Sequence, residues 1–307
     1  MISIICPFYN EEPIVPIFFK ALLKAIAPIN DEIEIICIND GSKDQTLQKI
    51  IEQKKNLSLN INLRILDLSR NFGKEAALTA GIDYSRGDAV IPIDTDLQDP
   101  PEIIIEMISK WKEGYDVVLA KRCDRSTDTW IKRNTAQWFY KIHNQISTPP
   151  IPENVGDFRL LNRAAVEALK QLPERERFMK GLFNWIGFKS TQIEYVRAGR
   201  KAGETKFAML KLWNFALDGI TSFSTVPLKI WSYLGFLISL FAFTYGSLII
   251  IRTLVFGIDI PGYASLLVII LFLGGLQLIG IGVLGEYLGR IYLETKKRPI
   301  YIIKQEL

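Results

Sequence analysis

The chain has 307 residues, 49% of them hydrophobic, and 37 Lys or Arg against 33 Asp or Glu leave a net charge of +4. That composition excludes a disordered or fibrous protein, and the weak charge, without any Lys/Arg-rich block, speaks against a nucleic-acid partner. A mean hydropathy of +0.15 is high for a chain with 23% charged residues, because residues 230–289 carry just three charges, Arg252, Asp259 and Glu286. Two solvents are therefore expected, water for a head and hydrocarbon for a tail.

Apolar runs at 2–6, 34–38, 62–67, 89–93 and 116–120 predict strands. Helical spacing between them predicts helices over 14–26 (with Pro13 in the first turn), 44–54, 74–84 and 101–113. Strands alternating with helices imply an α/β fold with a doubly wound, mainly parallel sheet, which binds ligands at the carboxyl ends of its strands. The N-terminus begins as a strand rather than a signal peptide, so the head is expected to stay in the cytoplasm. Cys6, Cys37 and Cys123 are odd in number and far apart, as expected of free thiols, buried as small apolar residues in a reducing compartment.

From Phe207 to Ser224 apolar residues follow helical spacing opposite Lys211, Asn214, Asp218 and Ser222. This reads as an amphipathic helix in the membrane interface, with a soluble surface helix as the alternative. Runs 230–251 and 260–285 are free of charge and long enough to cross a bilayer. Their short connection makes them a hairpin, and the bases around its far ends (Lys211, Lys229, Arg290, Lys296, Lys297, Arg298 and Lys304) put both termini and the head in the cytoplasm. The expected organisation is a head over 1–206, an interfacial helix over 207–229, two spans within 230–289 and a basic cytoplasmic tail over 290–307. Gly274, Gly275, Gly280, Gly282 and Gly285 give the second span a small-residue face.

Polar residues follow every strand. Glu11 and Glu12 come after the first, Asn39-Asp40-Gly41-Ser42 after the second, and Arg70-Asn71-Phe72-Gly73-Lys74 after the third. Asp94-Thr95-Asp96-Leu97-Gln98 follows the fourth and Lys121-Arg122 the fifth. Asp94 and Asp96 straddle one residue, and strand alternation would point both carboxylates one way. Such a pair needs a cation, unless it is an acidic helix cap. The single histidine, His143, lies elsewhere, so oxygen ligation of Mg²⁺ or Mn²⁺ by Asp94 and Asp96, with Gln98 adding a carbonyl, is the expected chemistry. A dinucleotide fingerprint and a P-loop are both missing from the sequence.

In order, P-F-Y-N-E-E, N-D-G-S-K-D, S-R-N-F-G-K-E-A-A-L, D-T-D-L-Q-D-P-P, V-G-D-F-R-L-L and R-K-A-G-E-T-K-F resemble glycosyltransferase family 2 with its GT-A fold. The resemblance is closest to the polyisoprenyl-phosphate glycosyltransferases, a group that includes dolichol-phosphate mannose synthases and bactoprenol glucosyltransferases. It implies that Pro7, Tyr9, Asn10, Glu11 and Asp40 hold a nucleoside, with Lys74 near the donor. Asp94 would reach the ribose or metal, and Asp96 and Gln98 would ligate the metal. Arg200 and Lys206 would clamp phosphates, and Arg122 and Arg133 would meet the lipid phosphate unless they are ordinary surface bases. Asp157 would be the base, an orienting group for the acceptor, or a structural partner of Arg159. The charge run Glu174 to Arg177 is expected to be solvated.

The reaction implied is inverting, metal-dependent transfer of a sugar to polyprenyl (undecaprenyl) phosphate at the inner membrane. The donor favoured is UDP-glucose, and the assembly a homo-oligomer, with a tetramer in view. GDP-mannose as donor, a processive polysaccharide synthase, and a non-catalytic scaffold or translocase are the alternatives. Two spans and the lack of a Q-x-x-R-W motif disfavour the synthase, and intact Asp94, Asp96, Gln98, Arg200 and Lys206 disfavour the scaffold.

Overall fold

The computed structural model describes residues 1–57, 60–123, 152, 154–196, 224–257 and 262–307. Four strands, β1 (Ile2–Phe8), β2 (Ile33–Asn39), β3 (Ile61–Leu68) and β4 (Ala89–Pro92), alternate with helices α1 (Val15–Ile26), α2 (Thr46–Gln53) and α3 (Lys74–Tyr84). Helix α4 (Ile103–Lys112), strands β5 (Val117–Arg122) and β6 (Val155–Asn162), helices α5 (Arg163–Lys170) and α6 (Met179–Trp185) and strand β7 (Ser190–Tyr195) complete the head's linear order. Two long helices, α7 (Val226–Phe256) and α8 (Tyr263–Thr295), precede a last strand, β8 (Ile303–Glu306).

The strands form one eight-stranded sheet in the order β7-β5-β6-β4-β1-β2-β3-β8. β1 to β4 pair in parallel, as do β5 and β7, whereas β6 and β8 run antiparallel to their neighbours. Because β6 is reversed, Val155 at its start lies opposite Lys121 at the end of β5. The beginning of β6 therefore reaches the same rim as the ends of β1, β2, β4 and β5.

Both sheet faces are covered, which explains why the strands read as unbroken apolar runs. Ile2, Ile4, Cys6 and Phe8 of β1 face a core shared with Phe18 and Leu22 of α1, Ile50 of α2 and Met107 of α4. Ile5, Ile36 and Ile38 face the other core, with Ala77 and Leu78 of α3, Val166 of α5 and Met179 of α6. Helix α3 sits so close that a Cβ on Gly81 would lie 2.3 Å from Ile5 Cγ2. Asn162 caps α5 by accepting from Ala165 N at 2.8 Å.

Three expectations change. Helix α1 starts at Val15, with Pro16 rather than Pro13 in its first turn, since proline suits a position whose N–H needs no acceptor. Helix α7 extends beyond its uncharged run at both ends, whereas α8 starts three residues inside its run and extends ten residues past its end, because Lys229, Arg252, Glu286 and Arg290 do not interrupt helical spacing. The expected basic tail is not a free tail. β8 closes the β3 edge, pairing Leu66 with Glu306 and Asp67 with Gln305. It is fixed by Arg64, whose guanidinium bonds Glu306 at 2.6 Å and the buried Glu34 at 2.8 Å. Ser3 donates to Glu34 at 2.5 Å. Burial pushes the Glu34 carboxyl up, but Ser3, Arg64 and the Arg86 N–H more than offset this and hold it below the usual range.

Helices α7 and α8 are each long and apolar enough to cross a membrane, and the apolar windows that qualify them are not buried inside the protein. They meet where Trp231 packs beside Gly280 and Tyr287 donates to the Ser224 carbonyl at 2.7 Å.

Candidate active site

The loops after β1 and β2 brace each other. Asn10, at φ 50°, donates its backbone N–H to Ser42 at 3.0 Å and accepts from Lys43 N at 2.8 Å. Glu11 N donates to Thr46, and Thr95 from the β4 loop donates to the Glu11 carboxylate and, at 3.3 Å, to the Pro7 carbonyl. Gly41 is at φ +61°, and a Cβ there would lie 2.3 Å from the Arg70 carbonyl carbon, so the turn admits glycine alone. Asp40 is buried and accepts from Phe72 N at 2.7 Å and Gly73 N at 3.0 Å. It thereby ties the β2 loop to the start of α3. Burial raises its carboxyl despite those two N–H groups. Tyr9 lies at the same rim and is partly exposed.

The centre of the rim is Lys74, the first residue of α3. Its Nζ lies 2.7 and 2.8 Å from the two oxygens of Asp94, and 2.7 Å from Asp157 Oδ2. Two carboxylates, one beyond β4 and one at the start of β6, share a single ammonium. The Lys74 side chain is 45% exposed, and although partial desolvation of its ammonium works against the charge, Asp157 and Asp94 outweigh it and hold the lysine well above its ordinary value. Burial also opposes ionisation of Asp157, yet Lys74, with Lys180 and Arg159 further off, holds it well below the carboxylate range. Asp94 is left raised by burial and by the neighbouring Asp157. Asp157 is thus the stronger acid of the pair, and its second oxygen, Oδ1, is buried without a hydrogen-bond partner among the described residues.

Asp157 bonds Lys74 rather than Arg159, which instead donates to the Gly156 carbonyl at 2.6 Å and lies 4.2 Å from the Phe183 ring. Burial lowers Arg159 to about 10. Glu75, next to Lys74, accepts from Met179 N at 3.2 Å. Burial and the Asp157 charge raise Glu75 to about 7, against Lys74, the Met179 N–H and Lys180. Glu75 carries no motif of its own in the sequence, and its place directly after Lys74 in the first turn of α3 is the one signal that marks it.

Strand alternation does not aim Asp94 and Asp96. β4 ends at Pro92, and a turn containing Leu97 at φ 57° sets their directions. Leucine is strained there, and it is held because its side chain fills the core. Asp96 accepts from Gln98 N at 3.1 Å. Among the described residues no group of three His, Cys, Asp or Glu gathers to hold a metal. A two-carboxylate oxygen set with a neighbouring amide still fits Mg²⁺ or Mn²⁺, which take few protein ligands and complete their shell with water and phosphate.

Arg122 is the last residue of β5. It donates to the Tyr195 hydroxyl at 3.1 Å and lies 3.7 Å from the buried Asp99; Tyr195 in turn donates to Asp99. Burial opposes its charge, but Asp99 and Tyr195 raise it. Arg133, Arg200, Lys206 and nearly all of the expected interfacial helix lie outside the described residues.

The Glu174–Arg177 run is not simply solvated. Arg175 N and Glu176 N donate to Glu294 of α8 at 2.8 and 3.1 Å, and Arg177 donates to the Leu172 and Glu174 carbonyls. Cys6 and Cys37 are buried neighbours across β1 and β2, but Cys123 is exposed, because it follows the last residue of β5.

The eight-stranded mixed sheet with helices on both faces and a polar rim is of GT-A type. Residues 3–170 match Glycosyl transferase family 2, and the chain belongs to that family. It is 55% identical over 302 residues to an uncharacterised glycosyltransferase of Synechocystis, covering 98% of this chain and 94% of the relative. It is 57% identical to the prophage bactoprenol glucosyl transferase homolog of Escherichia coli, over 99% of this chain and 98% of that one. The bactoprenol glucosyl transferase of Shigella phage SfV is 58% identical, with 99% and 98% covered.

Proposed function

We propose that this glycosyltransferase moves glucose from UDP-glucose to undecaprenyl phosphate, with inversion, while its two long helices cross the inner membrane and its head faces the cytoplasm. The observation that carries the reading is full-length identity of 57% and 58% to proteins named for bactoprenol glucosyl transfer. That identity includes the hairpin, so it extends beyond the sugar-binding head.

The rim supports a division of labour. The acceptor is a phosphate monoester with a second pKa near ~6, so it reaches neutral pH largely ionised. It needs orientation more than deprotonation. Asp157, kept ionised by Lys74, faces the reacting sugar as a fixed negative charge and stabilises positive charge at the anomeric carbon. Lys74 keeps Asp94 and Asp157 together despite their repulsion. The braced β1 and β2 loops form the nucleoside wall. Asp94, Asp96 and Gln98 would hold a divalent cation, which when bound neutralises charge on the diphosphate. Arg200 and Lys206 would add phosphate contacts, and Arg122 and Arg133 acceptor contacts.

The test is transfer itself. Membranes containing the chain are incubated with undecaprenyl phosphate and, separately, radiolabelled UDP-glucose and GDP-mannose. Label entering lipid from UDP-glucose supports the reading. Label entering from GDP-mannose alone replaces the donor, and no lipid label from either overturns the reading.

A further inference from the structure

Where α8 leaves the hairpin and the chain turns back toward β8, a cleft of about 310 Å³ opens between the helix foot and the head. Its walls carry Arg70, Arg175, Arg177, Lys296 and Arg298, with Glu75, the residue after Lys74 in α3, among them. Leu293 and Pro299 add apolar surface. Most of the arginines are positioned by bonds of their own. Arg175 donates to the Arg298 carbonyl, Arg177 to the Leu172 and Glu174 carbonyls, and Arg70 lies 4.0 Å from the Phe72 ring. Arg177 Nη1 is buried with no hydrogen-bond partner among the described residues, a donor whose burial costs stability unless an acceptor arrives.

We infer that this cleft is a staging site for the phosphate monoester of the lipid acceptor, entered from the foot of α8 and separate from the Arg122 side of the rim. The inference rests on the proposed lipid acceptor and adds where that acceptor first binds. Helix α8 has 33 residues, about 50 Å at 1.5 Å per residue. A hydrocarbon core takes about 30 Å of that, so the foot of the helix stands in the headgroup layer and the water beyond. Glu286, Arg290 and Glu294 fall on this foot, and Lys296 and Arg298 follow directly. A lipid phosphate arriving there meets a cationic wall on both sides, from α8 and from the head. Five cations face two carboxylates, Glu75 and Glu176, which suits a doubly charged monoester better than a singly charged phosphodiester. Glu75, which lines the cleft, directly follows Lys74, the partner of Asp157, in α3.

The test is equilibrium binding of radiolabelled farnesyl phosphate to the full-length chain in detergent, without donor. The double variant Lys296→Gln/Arg298→Gln removes two exposed cleft cations. Lys297→Gln/Lys304→Gln removes equal charge from the same segment outside the cleft. The first is expected to bind about tenfold more weakly, as for loss of charged hydrogen-bond partners, and to show the same rise in KM for the lipid with the donor KM unchanged. The second is expected to bind like the parent. Equal affinity in all three chains overturns the site. Inorganic phosphate competing as well as farnesyl phosphate overturns the lipid assignment, and so does equal competition by phosphatidylglycerol vesicles. Binding that the first variant loses, in a chain that transfers no sugar to lipid, upholds the cleft and sinks the proposed reaction instead.

Discussion

The head and the helical hairpin use the same apolar residues in opposite ways. Ile36 in β2 is 0% exposed, whereas Ile250 in α7 is 62% exposed and Leu254 81%. In the head the buried apolar residues of the strands belong to one of two cores, so their positions are specified by their neighbours. In the hairpin the side chains face outward, and length and apolar character are the main requirements. The difference teaches that specificity in this chain lies in polar contacts at the junctions. Arg64 fastens β8 to the sheet, Glu294 fastens α8 to the loop before α6, and Lys74 fastens two carboxylates at the rim.

The largest test of this contrast is at the rim. Asp157→Asn is expected to lower turnover by roughly a hundredfold to a thousandfold, the range for loss of a preorganised charge, far out of proportion to the modest drop in melting temperature expected when Lys74 keeps Asp94 as its remaining partner. Steady-state rates beside thermal unfolding would check it, and near-normal turnover would dismiss Asp157 from the chemistry.

Next comes Arg64→Met. It strands Glu34, which is 1% exposed, and breaking a buried pair costs about 3–5 kcal/mol. Since Glu34 is held below its unfolded value, its contribution is present above that value and lost as pH falls through the folded one. The parent should therefore lose stability on acidification more steeply than the variant, as followed by denaturant midpoints at several pH values.

Ile36→Ala and Ile250→Ala form the matched pair. The first is expected to cost the head about 2–5 kcal/mol, and the second to leave its unfolding unchanged. Similar losses in both would erase the distinction between core and hairpin.

The smallest effect is expected at Glu75, whose carboxyl is raised to about 7. A carboxyl raised by folding is harmless below its unfolded value and destabilising once pH exceeds the folded one. Glu75→Gln should therefore stabilise the head by about 1–2 kcal/mol at pH 8 and by nothing measurable near pH 4. Unfolding curves at the two values would decide it, and a gain that ignores pH would remove the electrostatic cause.

Much of the frame was legible in advance. The five predicted strands each appear, because a parallel strand covered on both faces must be a continuous apolar run. The two long apolar helices were legible too, as long uncharged runs of the sequence. The polar rim followed from strand polarity and topology. Less legible were strands β6 to β8, which are short or only partly apolar. Val155–Asn162 carries Asp157 and Arg159, and Ile303–Glu306 reads as a charged tail.

Sequence by itself determined which residues meet water, which meet apolar surroundings, and which polar groups gather at one edge of the sheet, because burial and strand direction are properties of local pattern. Tertiary structure alone decided the partners. Lys74 and Asp157 are 83 positions apart, and Arg64 and Glu306 are 242 apart. No local periodicity records such a pairing, since it arises when a reversed β6 and a returning β8 dock on the same sheet. The bridge at the rim and the cleft beneath α8 both come from that docking.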